Sequence, residues 1–311
     1  MNNTTYDVAV VGAGAAGLQA ALTLGRMNRP VAVFGTDRYR NDPAAEMHNF
    51  LGHDGTPPAE LRAAARADLE RYPAVELKEQ AVTAIEGAPG AFTLHTLDGS
   101  EVAARRVLLA TGAADTLPDI PGLDALWGDV VAHCPYCHGY EFSGTPVGIL
   151  GSEASVPLRA AMLERIASRL VVLTNGAELE QAVAGALKRM DVDVRTDPVV
   201  GVCRGPLGIS VELAGGPVLE LGGLFVGPGW AQAAPFAEQL DLDRSPMGAV
   251  LVDAFGRTSR PGVYAAGDIA QAPGLPMPMS SVLVAAASGQ VAAAACDREL
   301  AAADNGLALP V

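Results

Sequence analysis

The chain has 311 residues, half of them hydrophobic and 18% charged, enough for two domains of ordinary size with large cores. A formal net charge of -14 argues against nucleic acid and anionic membranes as partners and favours a soluble cytoplasmic protein. Four cysteines in this length do not make a secreted disulfide scaffold, and no signal-type apolar run follows Met1.

Tyr6 to Val11 is a β-branched run of the kind that forms a buried parallel strand. Gly12-Ala13-Gly14-Ala15-Ala16-Gly17 follows at once, and Leu18 to Gly25 reads as a helix. This is G-x-G-x-x-G in the strand–turn–helix context that a dinucleotide pyrophosphate needs. The next strand is Val31 to Phe34, and Asp37 beyond it is the candidate acid for the ribose hydroxyls, the alternative being a plain loop residue. Residues 38–58 read as an irregular loop, and a helix is predicted from about Ala59 to Tyr72. Phe92 to Leu97 and Glu101 to Ala104 read as a hairpin, and Arg106 to Gly112 as a further strand ending in Ala110-Thr111-Gly112.

Pro118 to Gly122 is a turn-rich linker that marks a domain boundary. Beyond it stands Cys134-Pro135-Tyr136-Cys137-His138-Gly139-Tyr140-Glu141. Two thiols three residues apart at a helix start can close a disulfide, and His138 can move a proton on each redox cycle. The alternative is half of a zinc site. That needs two more ligands, whereas Cys203 and Cys296 stand alone and read as buried structural thiols. No metal is expected. Pro146 to Gly151 repeats the strand-to-glycine theme and precedes a helix to about Ser168. Leu170 to Gly176, a helix from Ala177 to Met190 and Leu224 to Gly229 complete a second α/β unit. The tail returns to the first domain, with Tyr264-Ala265-Ala266-Gly267-Asp268 at a strand end. Ser280 and Ser281 open a small-residue helix too interrupted by Ser288, Gly289 and Gln290 to be a membrane span.

The glycine turn at 12–17, Ala110-Thr111-Gly112, the CPYC stretch and residues 264–268 together resemble the low-molecular-weight thioredoxin reductase family over nearly the whole chain. The resemblance implies an α/β fold of two Rossmann-like dinucleotide-binding domains. The FAD-binding domain would comprise 1–116 and 244–311, and a degenerate pyridine-nucleotide-type domain at 117–243 would carry the CxxC. It implies FAD as cofactor and a homodimer. The implied FAD contacts are Gly12, Gly14, Ala15, Ala16, Gly17, Asp37, Asn49, Ala110, Thr111, Gly112, Gly267, Asp268, Ser280 and Ser281. Cys137 would be the flavin-proximal thiol and Cys134 the one that exchanges with a dithiol.

Three departures bear on function. The family has Gly-Gly-Gly-Asp-Ser-Ala in its second nucleotide turn, where this chain reads Gly151-Ser152-Glu153-Ala154-Ser155-Val156. The family's His-Arg-Arg cluster for a 2′-phosphate is replaced by Thr174-Asn175-Gly176, with no positive charge. His138 stands where the family has Asp, and Cys-x-x-Cys-His-Gly-Tyr-Glu resembles the gliotoxin- and holomycin-type dithiol oxidases. That likeness implies oxidation of a small-molecule dithiol by the Cys134–Cys137 disulfide, with His138 as base and Glu141 orienting it, and with molecular oxygen as final acceptor giving hydrogen peroxide. Residues 38–58 and 230–236 are expected to wall the substrate pocket. The rival readings are an NAD(P)H- or ferredoxin-dependent reductase, a non-catalytic flavin-binding redox sensor and, least favoured, a zinc module.

Overall fold

A computed structural model describes residues 5–309. In chain order it begins with β1 (Thr5–Val11), α1 (Ala15–Arg26), β2 (Val31–Phe34), α2 (Pro58–Leu69), β3 (Val75–Lys78), β4 (Val82–Ala88), β5 (Ala91–Thr96), β6 (Glu101–Leu109) and β7 (Ala113–Thr116). Next come β8 (Val131–Ala132), α3 (Pro135–His138), β9 (Pro146–Leu150), α4 (Val156–Leu163), β10 (Arg169–Leu173), α5 (Gln181–Arg189) and β11 (Asp193–Arg195). The remainder is β12 (Val199–Gly205), β13 (Gly208–Leu213), β14 (Leu219–Leu221), β15 (Gly223–Val226), β16 (Gly229–Gln232), α6 (Phe236–Gln239), β17 (Val250–Leu251), β18 (Val263–Ala265), β19 (Ala270–Gln271) and α7 (Val282–Asp304).

The chain divides into two compact units. One takes the chain up to Arg40, Ala59–Ala114 and everything from Trp230 on; the other takes Asn41–Pro58 and Asp115–Gly229. The return to the first unit therefore falls at 230, not at 244. The reason is burial: Phe236, Ala237, Leu240 and Leu242 lie in the same core cluster as Ile85, Phe92 and Val107 of the first unit. The 41–58 loop belongs to the second unit, although the resemblance counted it with the FAD domain.

In the first unit, among the described residues, the sheet runs β3-β2-β1-β6-β5-β4, with β18 added beside β6. β1 pairs parallel with both β2 and β6, and its two faces are buried in separate core clusters, Val8 and Val10 in one and Ala9 and Val11 in the other. This is why its sequence is an unbroken apolar run and not an alternation. Residues 101–109 form one strand, not two. Its outer edge pairs antiparallel with β5 over residues 101–104 and parallel with β18 over 107–109. The change of partner, with no break in the backbone, produced the apparent gap at Arg105.

α1 buries Ala16, Gly17, Leu18, Ala20, Ala21 and Leu24, and α7 buries Gly289, Ala292, Ala293, Ala295, Cys296 and Leu300 in the same cluster. Their small side chains let the backbones approach until a Cβ on Gly289 would collide with the Ala16 carbonyl oxygen. A glycine inside a helix costs about 1 kcal/mol. Full burial of one side chain such as Leu24 returns about 1.5–3 kcal/mol, so packing outweighs propensity here.

The second unit holds a parallel sheet of order β11-β10-β9-β15-β8 and an antiparallel sheet β12-β13-β14. β9, β10 and β15 are buried apolar runs, packed on one side with Val156, Ala160 and Leu163 of α4. The chain is thus α/β with two Rossmann-like sheets, and the cysteine pair sits in the second. Helix α5 begins at Gln181, four residues later than its pattern suggests. Among the described residues no helix is long and apolar enough to cross a membrane.

Candidate active site

Cys134 is the N-cap of α3, extended at φ -107° and ψ 113°, with Pro135 in the first helical turn. Proline suits that place because its missing N–H has no partner to lose. The single turn returns the chain at once, with the Cys137 N–H donating to the Cys134 carbonyl at 3.1 Å. This brings the two Cα atoms to 5.3 Å, and Cys134 and Cys137 form a disulfide. Gly139 follows directly, where a Cβ would collide with the Pro135 carbonyl. A four-residue helix has little dipole to offer a thiolate.

His138 Nε2 lies 3.2 Å from the Gly128 carbonyl oxygen. A carbonyl only accepts, so the neutral ring carries its proton on Nε2 and leaves Nδ1 as the base. Burial pushes this imidazole below its usual value of 6.5; the Gly128 carbonyl, Glu141 and Asp129 pull it upward, and His48 pushes it down. The net direction keeps the ring neutral near pH 7, as a proton acceptor must be.

Glu141 does not hydrogen-bond His138. Its nearest basic partner is His48 Nε2, at 3.5 Å. His48 was missed in the sequence because it lies 93 positions upstream in an irregular loop, with no motif to mark it. Among the described residues no group of three or more His, Cys, Asp or Glu side chains is placed to hold a metal ion. Cys296 is buried as expected, but Cys203 is exposed, contrary to its reading as a buried thiol, because β12 turns it outward. Phe236 is core, 3% exposed, and so is no part of a pocket wall.

The first unit carries the candidate FAD residues. Gly12 has φ +115°, and a Cβ there would strike the Ala110 carbonyl; Gly17 packs equally tightly on the Gly12 carbonyl. Gly14, the N-cap of the twelve-residue α1, has no side-chain capping bond, and nothing lies nearer to its Cβ position than Tyr39 Cδ1 at 3.9 Å. A helix N-terminus left uncapped beneath open space fits a pyrophosphate, with Ala15, Ala16 and Gly17 as its first turn. Ala110, Thr111 and Gly112 follow β6, and the Ala110 N–H donates to the Val11 carbonyl at 2.8 Å, which holds this turn beside the glycine loop.

Asp37 adopts φ +51° and is engaged by Arg66 at 2.7 Å and by the Tyr39 hydroxyl at 3.2 Å. Gly267, at φ +76°, donates its N–H to Ser288 Oγ at 2.9 Å. Asp268 is ion-paired to Arg40 at 2.7 Å, and the same nitrogen of Arg40 donates to Ser280 Oγ at 2.8 Å. Ser281 caps α7 by accepting the Val284 N–H at 3.1 Å. Asn49 lies in the second unit with φ +62°, and its N–H goes to Asp54 at 2.8 Å. The glycine turn, the uncapped helix and the hydroxyl- and carboxylate-bearing strand end fit FAD.

The equivalent turn of the second unit is different. The Glu153 carboxylate folds back over Gly151, accepts the Ser152 N–H at 3.0 Å and the Ser155 hydroxyl at 3.3 Å, and lies 3.6 Å from Arg159. It lines a crevice of about 320 Å³ at the ends of β9 and β10, with Thr174, Asn175 and Gly227. Asn175 Oδ1 is committed to the Val199 N–H at 2.8 Å, so residues 174–176 bring no cation there.

Two Rossmann-like sheets with glycine turns, and a redox-active cysteine pair beside an imidazole, define a flavin-type thiol–disulfide oxidoreductase. A family model described as pyridine nucleotide-disulphide oxidoreductase matches residues 6–290. Thioredoxin reductase tcpT of Claviceps purpurea is 34% identical over 282 residues, 84% of this chain and 86% of that protein. The crystal structure of the oxidoreductase from Agrobacterium tumefaciens matches with a TM-score of 0.88 at 34% identity, covering 96% of this chain and 99% of that one. The crystal structure of HlmI also matches with a TM-score of 0.88 at 34% identity, covering 97% of this chain and 94% of that one. The chain belongs to the pyridine nucleotide-disulphide oxidoreductase family, in its thioredoxin reductase-like branch, whose members typically bind FAD.

Proposed function

We propose that the protein is an FAD-dependent dithiol oxidase that closes an intramolecular disulfide in a small-molecule dithiol, with molecular oxygen as final acceptor and hydrogen peroxide as product. The observation that carries this reading is Glu153. Its carboxylate already accepts the turn N–H that a nucleotide phosphate would need, and it sits beside Arg159 as an internal anion. A pyrophosphate would have to displace a like charge and would meet no arginine at 174–176. With that route closed, electrons enter as substrate thiols at the Cys134–Cys137 disulfide.

The chain's own part is thiol–disulfide exchange. A substrate thiol gives its proton to His138 Nδ1, and its sulfur attacks Cys134, releasing Cys137 as thiolate. The second substrate thiol then displaces Cys134 and leaves as the cyclic disulfide. The glycine turn and the Asp268 strand end would hold FAD, whose chemistry when bound would be that of a two-electron acceptor for the reduced cysteine pair, with oxygen as the final oxidant. A homodimer and a cytoplasmic setting belong to this proposal, and neither nucleic acid nor membrane is a partner.

A second reading is favoured by the name thioredoxin reductase carried by relatives such as tcpT: a disulfide reductase fed by NAD(P)H or ferredoxin. Anaerobic flavin absorbance separates the two. Bleaching by excess dithiothreitol but not by NADPH, with peroxide formed on admitting air, is the expected result. Rapid bleaching by NADPH would overturn the oxidase reading. A Cys134→Ser variant indistinguishable from wild type in every redox assay would mean a flavin-bound sensor instead.

A further inference from the structure

We infer that His48, acting through Glu141, sets the charge on His138 and is a positioning residue for proton transfer at the Cys134–Cys137 pair. The inference rests on the thiol–disulfide chemistry proposed above.

The segment that carries His48 is built into the second unit. Met47 is buried and bridges to Thr56, closing the loop on itself. Pro43 packs so tightly on Gly128 that a Cβ there would lie 2.6 Å from the Pro43 carbonyl carbon. Gly128 is also the residue whose carbonyl faces His138 Nε2 at 3.2 Å. One residue therefore both seats the loop and orients the base.

With the loop so placed, Glu141 is shared. Its Oε1 lies 3.5 Å from His48 Nε2. The His48 ring meets further acid at both nitrogens, with Glu46 at 3.8 Å from the same Nε2 and Asp54 at 3.6 Å from Nδ1. Asp54 is held by the Asn49 N–H at 2.8 Å. The charges that act on His138 are Glu141 and Asp129, which favour the imidazolium, and His48, which opposes it. Two imidazoles thus compete for one carboxylate.

The competition matters because the exchange steps take two protons from the substrate dithiol, one after the other. The first substrate S–H breaks, its proton goes to His138 Nδ1, the sulfur bonds Cys134, and the Cys134–Cys137 bond breaks with its electron pair on Cys137. The second substrate S–H must then lose its proton before its sulfur can displace Cys134, and His138 Nδ1 holds only one. His138 must shed the first proton between the two steps. A carboxylate partly claimed by His48 stabilises the imidazolium less than a free one would, so release stays fast. Asp54, on the opposite ring nitrogen of His48, and Glu46, on the same nitrogen as Glu141, are both well exposed to water.

The test is an imidazole NMR titration of His138 in the oxidised yellow holoenzyme, assigned with His138→Gln, in wild type, His48→Gln and Glu141→Gln. His48→Gln removes the competing imidazole and frees Glu141, so the His138 midpoint should rise. Glu141→Gln should lower it. Each shift should be roughly half a pH unit, the order expected for a charge acting through a partly hydrated site. The acid limb of dithiothreitol-driven flavin bleaching should move with the same signs. A His48→Gln midpoint equal to wild type, or moved in the same direction as Glu141→Gln, would sink the inference. His48→Asn reports the same signs if the glutamine variant folds poorly. Failure of dithiothreitol to bleach wild type would instead sink the oxidase reading, and the NMR result would still decide the role of His48.

Discussion

Arg40 Nη1 lies 2.7 Å from the Asp268 carboxylate and 2.8 Å from the Ser280 hydroxyl, tying the loop after β2 to the turn after β18 and to the residues just before α7. Both side chains of the pair are less than a fifth exposed, so neither is well served by water alone. Replacing Arg40 with Ala removes this positive charge from beside Asp268 and the expected place of an anionic cofactor. FAD should bind about tenfold more weakly, equivalent to the loss of roughly 1.4 kcal/mol. The flavin-to-protein ratio after gel filtration and a fluorescence titration of the apoprotein measure it. Arg40→Lys, which keeps the charge but not the fork, should recover part of the affinity.

The pH dependence of thiol oxidation follows from His138. Its folded value is held below 6.5, chiefly by burial. The base is active when neutral, so the rate of anaerobic flavin bleaching by a dithiol should be flat near pH 7 and fall only below pH 6.5. His138→Gln should slow bleaching by about 10²-fold or more and abolish that acid limb. A limb that survives the substitution would assign it to another group.

Two glycine-to-alanine changes should have opposite signs. Gly289→Ala places a methyl against the backbone carbonyl of Ala16, which cannot move without shifting α1. It should cost about 1–3 kcal/mol, or about 2–4 °C in Tm for each kcal/mol. Gly185→Ala, inside α5, meets nothing closer than Arg189 Nη1 at 3.6 Å. It should stabilise by about 0.5–1 kcal/mol through helix propensity alone. Calorimetry of the two variants beside wild type settles both signs.

Thiol labelling should report burial directly. Cys296 is buried, and burial pushes its thiol up to about 12, so almost no thiolate exists at pH 8. Iodoacetamide should label Cys203 alone in the oxidised native protein, then Cys134 and Cys137 after mild reduction, and Cys296 only after unfolding. Mass spectrometry of the three samples reads this out, and native labelling of Cys296 would show that α7 opens.

What the sequence made legible was local. The openings at Tyr6 to Gly17 and Pro146 to Gly151 could be read because apolar runs and glycine turns are short-range signals. The cysteine pair could be read because its two members share one helical turn. Arg40 and His48 could not. Both lie in a stretch without period, and their partners, Asp268 and Glu141, are 228 and 93 positions away. Glu153 could be seen as an oddity in a glycine turn, but its carboxylate's return onto the Ser152 N–H is a rotamer that only the coordinates supply. The boundary at 230 was hidden for a related reason. Residues 230–243 look like loop, yet their apolar side chains serve a core formed by residues much earlier in the chain.

The shared edge of β6 bears on how the chain is made. Its first residues pair with β5, only a few positions upstream, while its last three wait for β18, more than 150 positions downstream. α7, which packs on α1, comes later still. During synthesis the leading third of the protein therefore emerges with an unfinished sheet and an uncovered α1 face. Residues 115–229, a continuous run joined only by the early 41–58 segment, have all their strands available first. Such distant closure slows folding and leaves strand edges open to aggregation. Nascent chains stalled before residue 263 should thus protect the cysteine-bearing sheet from protease while the N-terminal sheet stays cleavable.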